Sequence, residues 1–398
     1  MSAHQPEVAR GASGQPRGAL IAGLVFVAAM GVAPAARAEA SLKLRILTWN
    51  VWGLPAVSTN LQARMNALPD AIAKLAPDIV LMQEVWAEGD GDQIKRGLKQ
   101  RGYPYVSHLA HTEYGMTGLF TASKLPLEDV RFHPFASGRI GHSFWHLEWI
   151  ASKGVGSYLV QTPLGALEVQ NTHLQAQYDT DGYAAERLSQ VSEILMKTQD
   201  RPQRPLLLGG DFNTGSAEFP RQTLLELGGL RDTTPSPEPD TIFVRNGGSI
   251  AVRIVGTRRA FTEPVLLENG VTAVLSDHPA VVVDLELSAC ASCAPAAVDP
   301  SKRAFAHAAL LTAAAITPGR VTLALSTAAS FLAAAVAFRR GTRRLGGRSL
   351  RLTTFRRLSL VILTTGFVWS AYLGALYYPA RAKALRLVAH ELESRPSR

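Results

Sequence analysis

Short apolar runs bounded by turn residues recur between Leu42 and Leu287, and segments with helical periodicity lie between them. Runs of this kind are typical of buried strands. The six clearest runs read LRILTWNV, DIVLMQEV, TGLFTAS, ALEVQNTHL, PLLLGGDFN and AVVVDLEL. Their alternation with helices predicts an α/β domain of roughly 260 residues, which is near the usual upper size for a single hydrophobic core.

Two segments repeat their apolar residues at the spacing of an amphipathic helix. The first is Leu61–Leu75, with Asn60 in the position of its N-cap, and the second is Tyr183–Lys197. The run Pro235–Asp240 contains three prolines, so we expect a surface loop there and not a linker between domains. We therefore expect one domain over residues 39–288.

Charge is distributed unevenly along the 398 residues. Residues 39–300 contain 22 Lys and Arg against 29 Asp and Glu, whereas residues 301–398 contain 16 against 2. The formal charge of +9 therefore belongs to the C-terminal part, and the predicted domain is acidic. Because affinity for a nucleic-acid backbone rests on Lys and Arg, this distribution disfavours nucleic acid as a partner.

The N-terminus has the features of a secretory signal peptide. An apolar stretch, residues 19–36, follows two arginines and leads into small residues around Ala38. This pattern predicts a signal peptide over residues 1–38, with an uncleaved membrane anchor as the alternative. Either segment would direct the following domain out of the cytoplasm.

Two uncharged stretches near the C-terminus, Val321–Phe338 and Leu358–Ala380, are each long enough to cross a hydrocarbon core of about 30 Å as a helix. The segment between them, Arg339–Arg357, contains eight arginines and no acidic residue. The positive-inside rule places such a loop in the cytoplasm, which leaves the domain on the periplasmic or extracellular side. The weaker apolar stretch Ala304–Thr317 either lies at the membrane interface or prolongs the first span.

The chain after the domain is therefore expected to comprise a linker at 289–303, a membrane region at 304–380 and a tail at 381–398. The linker contains the only two cysteines, Cys290 and Cys293. Two thiols are too few for a structural zinc site, but in an oxidising compartment they could close a small disulfide. We expect them to take no part in chemistry.

Polar side chains occur at the ends of most of the predicted strands. The set comprises Asn50, Glu84, His173, Asp211, Asn213, Asp277 and His278. Each alone has an ordinary explanation as a turn, surface or core residue, but together they indicate a common site. In the run LLLGGDFNTGS, Asp211 and Asn213 are two residues apart, so on an extended backbone both point to one face.

These residue types suit the chemistry of phosphate esters. Glu84, Asp211 and Asp277 offer hard oxygen ligands and Asn50 a neutral one, which favours Mg²⁺. The absence of cysteine from the set argues against zinc. The Asn213 amide can donate to a phosphoryl oxygen, and a histidine can deprotonate water. The sequence therefore predicts metal-assisted hydrolysis of a phosphate ester.

Five motifs in this order, ILTWNVWGLP, DIVLMQEVW, NTHLQAQY, GGDFNTGS and LSDHPAV, resemble the endonuclease/exonuclease/phosphatase superfamily over most of Leu42–Leu287. The resemblance implies a four-layer α/β sandwich, with two packed mixed β-sheets flanked by helices, here followed by a C-terminal two-helix transmembrane hairpin. It also implies that Glu84 is the principal Mg²⁺ ligand, with Asn50 assisting it and Asp277 supporting the site.

The same resemblance implies catalytic roles. Asp211 and Asn213 would act at the scissile phosphate, His278 would be the general base, and His173 would bind or protonate on the phosphate side. Within the superfamily, THLQA at residues 172–176 and SKGVG at residues 152–156 are similar to the neutral sphingomyelinases. Their membrane-bound members also place two spans after the catalytic domain, and residues 371–394 resemble their last span and the helix that follows.

The implied reaction is hydrolysis of sphingomyelin to ceramide and phosphocholine, with a membrane phospholipid or sphingolipid as the substrate. One departure stands out. The family has an acid before its final histidine motif that orients the histidine, and the best counterpart, VRIVGTRRAF, has Val255 at that place. Either another acid such as Asp240 substitutes, or the alignment slips, or the enzyme is slow. The alternatives to a sphingomyelinase are a nuclease or soluble-phosphate phosphatase of the same superfamily, and a non-catalytic lipid-binding relative.

Overall fold

The computed structural model describes residues 41–55, 57–113, 115–139, 151–178, 183–199, 201, 203–234, 238–291, 293, 300–344 and 350–395. The predicted signal peptide lies outside these residues. The strands are β1 Ser41–Asn50, β2 Ile79–Gln83, β3 Tyr105–Thr112, β4 Gly115–Ser123, β5 Leu127–Pro134, β6 Gly154–Thr162, β7 Gly165–His173, β8 Leu206–Asp211, β9 Arg231–Asp232, β10 Asp240–Arg245, β11 Ile250–Ala260, β12 Val265–Leu266, β13 Thr272–Ala273 and β14 Ala280–Ala289. The helices are α1 Leu61–Leu75, α2 Glu88–Gln100, α3 Ala184–Gln199, α4 Phe219–Gly228, α5 Pro300–Ala315, α6 Thr317–Arg344, α7 Leu350–Tyr372 and α8 Tyr378–Ser394, with a π-helical turn, Leu373–Tyr377, between the last two.

Two six-stranded sheets form the centre of the domain, in the orders β11-β14-β1-β2-β4-β3 and β5-β6-β7-β8-β10-β9. Both are mixed, because β1 and β2 run parallel, as do β7 and β8, while the other neighbours are antiparallel. One apolar cluster fills the space between the sheets. A second joins the first sheet to α1 and α2, and a third joins the second sheet to α3 and α4. The predicted four-layer α/β sandwich is thereby confirmed.

The leucine run of β8 shows why the strands were recognisable. Leu207 faces the other sheet, whereas Leu206 and Leu208 face the helices on the outside. A strand covered on both faces reads as a continuous apolar run because every position is buried.

The start of α1 differs from the expectation. Asn60 precedes the helix, but it has a left-handed backbone (φ 50°) and its side chain makes no capping hydrogen bond. Its Oδ1 instead accepts a hydrogen bond from Nδ2 of Asn269, 3.3 Å away. The helical periodicity identified α1 correctly, and Asn60 is its N-cap residue, with a backbone oxygen that accepts the N–H of Arg64 over 3.0 Å, but its side chain does not cap the helix.

The C-terminal part contains two helical segments long and apolar enough to cross a membrane, Pro300–Arg340 and Arg357–Ser394. Helices α6 and α7 run antiparallel and in contact. Gly366 of α7 lies against Phe331 of α6, and Gly374, in the π-helical turn after α7, lies against Leu325 nearer the start of α6. These segments contain the two spans expected from the sequence.

Helices α5 and α8 extend this pair into the domain. Leu310 of α5 and Leu385 and Leu392 of α8 belong to the same apolar cluster as α3 and α4. The stretch Ala304–Thr317 therefore packs on the domain, and the segment expected as a tail contains a helix that helps to close the domain core. We call α5 and α8 together the stalk. The two cysteines before it, Cys290 and Cys293, form a disulfide, which the sequence left open as a possibility.

Candidate active site

The predicted site residues meet at one edge of the two sheets, where the parallel strands end. Asn50 is the last residue of β1, and Glu84 directly follows β2. His173 and Asp211 end β7 and β8 as register partners. Because parallel strands end at the same edge, a side chain from each sheet can reach a shared centre.

Asn50 connects the two sheets across this edge. Its Nδ2 lies 2.9 Å from Oε1 of Glu84 and 3.0 Å from Oδ2 of Asp211, so one amide group donates to both carboxylates. All three side chains are withdrawn from solvent: Asn50 and Asp211 are nearly fully buried, and Glu84 is buried in its carboxylate. The amide thus sets the distance between two acids from different sheets.

Glu84 has the properties of a cation ligand. Its backbone is left-handed, with φ 63°, which turns the side chain away from the line of β2. Burial raises the pKa of its carboxyl group, and the hydrogen bond from Asn50 and the charge of Lys153 oppose this only in part. Its buried Oε2 has no hydrogen-bond partner among the described residues. An unpaired buried carboxylate oxygen fits a hard divalent cation.

The two glycines before Asp211 are closely packed. A Cβ on Gly210 would lie 2.0 Å from the backbone oxygen of Thr172, and one on Gly209 would lie 2.5 Å from Cδ1 of Leu81. Only glycine therefore fits at position 210, where β8 lies against the backbone of β7, whereas at position 209 the Leu81 side chain of the other sheet would have to shift.

The chain turns sharply after Asp211. Asn213 has a left-handed backbone, with φ 48°. Its backbone N–H donates to Oδ1 of Asp211 over 2.9 Å, and its Nδ2 donates to the carbonyl oxygen of Leu174 over 3.0 Å. Both side chains border the same cavity, as the sequence predicts, although a turn and not an extended strand brings them there.

His278 is held by an acid that the sequence placed only as a weak candidate. Its Nδ1 lies 2.5 Å from Oδ2 of Asp240 and 4.0 Å from Oδ2 of Asp211. Burial acts to lower the pKa of His278, but the hydrogen bond to Asp240 and the nearby carboxylates outweigh it and raise that pKa. The imidazole is thus oriented through Nδ1, which leaves Nε2 for chemistry.

The assignment of Val255 to the orienting position is wrong. Val255 lies on β11 at the outer end of the first sheet and is 51% exposed. Asp240 instead begins β10, which pairs antiparallel with β8 so that Asp240 lies opposite Asp211. The acid begins the stretch DTIFVR, in which it directly precedes an apolar strand. The three prolines before it made the segment that ends at Asp240 resemble a surface loop.

Asp277 is the one predicted metal ligand that does not border the cavity. Its side chain is exposed, and its Oδ1 lies 3.2 Å from Oγ of Ser276. The same hydroxyl donates to the backbone oxygen of Asn50 over 2.7 Å. Asp277 therefore lies close to the site and adds negative charge to it without facing its centre.

His173 is buried as a neutral imidazole. Burial and the charge of Lys153 lower its pKa to about 3, although Asp211 acts in the opposite direction. Its Nε2 lies 3.6 Å from Oδ2 of Asp211, and its buried Nδ1 has no hydrogen-bond partner among the described residues. A neutral imidazole in this place can donate one hydrogen bond to a ligand and accept another.

Two functional candidates escaped the sequence argument. Lys153, which is 3% exposed and borders the cavity, places a positive charge beside Glu84 and His173. Lys153 belongs to the SKGVG motif, whose similarity to the neutral sphingomyelinases is the sequence signal that could have identified it. The indole of Trp86 also borders the cavity, with its ring centroid 6.5 Å from that of His173.

Arg64 of α1 is a third residue that was missed, and its importance is structural. Its buried guanidinium donates to four backbone oxygens, those of Val51, Trp52, Thr59 and Leu275, over 2.7–3.0 Å. The segment after Asn50 is thereby joined to the segment before His278. Trp49 adds a further link, because its Nε1 donates to the backbone oxygen of His278 over 2.9 Å.

The site opens into a cavity of about 440 Å³. Six of the seven predicted residues border it, with Asp277 as the exception. Leu54, Pro55, Trp86, Met116 and Tyr178 add a largely apolar wall opposite the charged groups. The cavity therefore combines a polar end suited to a phosphate group with an apolar side suited to a hydrophobic ligand.

Comparison with known proteins agrees with this arrangement. The "Putative neutral sphingomyelinase" of Drosophila melanogaster is 29% identical over 276 residues, which are 62% of this chain and 61% of that protein. The "Inositol phosphosphingolipids phospholipase C" of Schizosaccharomyces pombe is 32% identical over 210 residues, 51% of this chain and 49% of that protein. The chain thus spans between about half and three fifths of the length of these relatives.

Among solved structures, sphingomyelinase C from Streptomyces griseocarneus is similar at 20% identity and a TM-score of 0.49, over 61% of this chain and 99% of that one. The model of the Endonuclease/Exonuclease/phosphatase family matches residues 47–278, which is more than half of the chain and extends from β1 to His278. On this match, the chain belongs to the Endonuclease/Exonuclease/phosphatase family.

Proposed function

We propose that the chain is a Mg²⁺-dependent phosphodiesterase that hydrolyses sphingomyelin in a membrane to ceramide and phosphocholine. The observation that carries the proposal is the Asp240–His278 pair, 2.5 Å apart, because its histidine borders a cavity that is also lined by Glu84, Asp211 and Asn213. A base, two acids and an amide around one small space are the groups that hydrolysis of a phosphodiester needs.

In this proposal His278 takes a proton from the attacking water at Nε2, while Asp240 holds Nδ1 and stabilises the imidazolium that forms. Lys153 and the neutral His173 bind the non-bridging phosphate oxygens from the other side of the cavity. Asn213 donates its amide to a phosphoryl oxygen, and Asp211, which accepts the backbone N–H of Asn213 over 2.9 Å, holds it at the scissile phosphate. The roles of Asp211, Asn213, His173 and His278 remain those expected from the sequence, with Lys153 and Asp240 added.

Glu84 and Asn50 would hold the Mg²⁺ ion, and the unpaired Oε2 of Glu84 supports this assignment. When bound, the ion would supply positive charge that stabilises the developing charge on the phosphoryl oxygens. Asp277 contributes negative charge from the edge of the site and is proposed as a supporting group.

A lipid substrate is supported by the position of the cavity relative to the C-terminal helices. Tyr178 borders the cavity, and its ring contacts that of Tyr183 with centroids 6.2 Å apart. Tyr183 packs in one apolar cluster with Tyr377, which ends the π-helical turn after α7. Two side-chain contacts therefore connect the wall of the cavity to the end of the second apolar helix. We place these helices in the membrane and the domain on its periplasmic or extracellular side.

The names of the relatives support a sphingolipid over other lipids, because they include a putative neutral sphingomyelinase and an inositol phosphosphingolipid phospholipase C. The acidic domain weighs against a nuclease.

The proposal is tested by phosphocholine release from sphingomyelin vesicles, with the full-length protein purified in detergent and assayed with Mg²⁺ or EDTA. We expect turnover that requires Mg²⁺ and is lost in His278→Ala. Parallel vesicles containing an inositol phosphosphingolipid decide the head group. Turnover of DNA or of soluble inositol phosphates, without turnover of either lipid, would overturn the proposal in favour of another phosphoesterase. Metal and vesicle binding without any turnover would indicate a non-catalytic relative.

A further inference from the structure

We propose that Arg381, in the stalk helix that follows the second membrane span, is a positioning residue for the active site. It would act by holding the N-terminal end of α3, which in turn fixes the segment after His173. The membrane hairpin would then be part of the catalytic architecture and not only an anchor. The inference rests on the proposed phosphodiesterase function for its activity readout, but its structural readout is independent of that function.

The first step is a buried ion pair between the stalk and the domain. Arg381 donates to both carboxylate oxygens of Glu186, through Nε to Oε1 and through Nη2 to Oε2. Glu186 is 1% exposed and Arg381 9%. Nη1 of Arg381 also donates to the backbone oxygen of Ala313 in α5 over 3.2 Å, so the guanidinium joins both stalk helices to α3. Tyr377 adds a longer contact to Glu186, at 3.5 Å.

The second step leads from α3 to the active-site segment. Arg187, the neighbour of Glu186, donates from Nη1 to the backbone oxygen of Gln175 over 3.2 Å. One turn further along α3, Oε1 of Gln190 accepts a hydrogen bond from the backbone N–H of Gln175 over 2.9 Å. Both polar backbone groups of Gln175 are thus held by side chains of the helix that the stalk clamps.

The third step is short, because Gln175 lies two residues after His173. The intervening Leu174 donates its N–H to the backbone oxygen of Asp211 over 2.9 Å. Its own oxygen accepts the Nδ2 of Asn213 over 3.0 Å. A shift of α3 would therefore move the segment 173–175, and through the hydrogen bonds of Leu174 it would reach Asp211 and Asn213.

The chemical nature of the Arg381–Glu186 contact also favours a positioning role. Apolar contacts between the stalk and α3 are already extensive, with Leu385 and Val388 packed in the cluster that contains Leu188 and Val191. Such contacts tolerate sliding, whereas a two-pronged guanidinium–carboxylate pair allows one geometry. A buried pair adds little net stability for its desolvation cost, so its contribution here is the fixed relation of the two helices.

The test uses the full-length protein in detergent with Arg381→Met. Bis(p-nitrophenyl) phosphate, a water-soluble phosphodiester, is the substrate, because a tether gives no concentration advantage with it. We expect kcat to fall at least tenfold with KM within twofold of the wild type. Hydrogen exchange should accelerate at the Gln175 and Arg187 amides and remain unchanged in β1 and β14. Lys383→Met, an exposed basic residue on the same helix, is the matched control and should leave both measurements unchanged.

Glu186→Gln tests the same link without leaving a buried unpaired carboxylate, should Arg381→Met not fold. We expect a smaller fall in kcat and the same local exchange pattern. Wild-type kcat and exchange in both variants would overturn the proposal, as would acceleration spread equally over β1 and β14, which would indicate general destabilisation. A local change in exchange in a protein that hydrolyses no phosphodiester would support the link and reject the proposed function.

Discussion

Oδ2 of Asp240 lies 2.5 Å from Nδ1 of His278, although 38 residues separate the two in the chain. The contact depends on the antiparallel pairing of β10 with β8, which places Asp240 beside Asp211. It gives the proposed base a fixed tautomer and orientation, because a carboxylate at Nδ1 leaves only Nε2 to accept a proton.

The first prediction concerns this pair. Asp240→Asn keeps the shape of the side chain but can present an amide donor to Nδ1, which disfavours the productive tautomer. We expect kcat to fall by about 10³–10⁴, as for a triad acid changed to its amide. The measurement is Mg²⁺-dependent turnover at saturating substrate, and Val255→Asp is the control. Because Val255 lies exposed on β11, adding an acid there should change nothing; a gain of activity in that variant would contradict the assignment of Asp240.

The second prediction concerns Glu84 in the metal-free protein. Burial raises its pKa in the folded state, so protonation favours folding. The stability that this provides is complete below the ordinary pKa of the group and is lost as pH rises through the raised value. Glu84→Gln removes this dependence. In EDTA, the difference in melting temperature between the variant and the wild type should therefore grow in favour of the variant from pH 4.5 to pH 8. Each kcal/mol of free energy of unfolding that the wild type loses corresponds to about 2–4 °C.

With Mg²⁺ added at pH 8, we expect the wild type and not Glu84→Gln to have the higher melting temperature. The wild type should be stabilised by the ion through ligand binding, while Glu84→Gln should gain little or nothing. Thermal unfolding with a titration of Mg²⁺ at pH 8 measures both effects. If the variant gained as much as the wild type, Glu84 could not be the principal ligand.

The third prediction concerns Arg64, which joins the segments carrying Asn50 and His278. Arg64→Met leaves four backbone oxygens without their donor, so we expect a loss of roughly 3–5 kcal/mol in the free energy of unfolding. Kinetic analysis at a temperature where the variant is fully folded should show a fall in kcat of about 10², the effect of displacing reacting groups by about 1 Å. Arg96→Met, on the exposed face of α2, is the control. A stable variant with normal kcat would show that the two segments hold their places without Arg64.

Local patterns were sufficient to predict an α/β domain and most of the site, whereas the four layers were predicted from the family resemblance. Strands buried on both faces are apolar throughout, as in β8, and polar groups that end parallel strands meet at one edge, as Asn50 and Asp211 do. Asp240 could be named only as a candidate because its role is set by the antiparallel pairing of β10 with β8, a long-range contact that no local pattern encodes. The N-cap position of Asn60 was predicted correctly, but the partner of its side chain was not, since that side chain bonds to Asn269 across the fold. The packing of α8 on α3 likewise involves a long-range contact, because Arg381 pairs with Glu186, 195 residues away in the chain.

The last prediction concerns Gly210, where β8 approaches β7 most closely. A Cβ at this position would lie 2.0 Å from the backbone oxygen of Thr172, so Gly210→Ala must push the two strands apart. We expect a destabilisation of about 1–3 kcal/mol, measured by denaturant unfolding.

The same displacement would separate His173 from its register partner Asp211, whose side chains are 3.6 Å apart, so kcat should fall by about 10². Gly256→Ala is the matched control, because a Cβ there meets no atom within 4 Å. It should leave both stability and kcat close to those of the wild type. Equal effects of the two substitutions would show that glycine is needed for general backbone freedom and not for the close approach of β7 and β8.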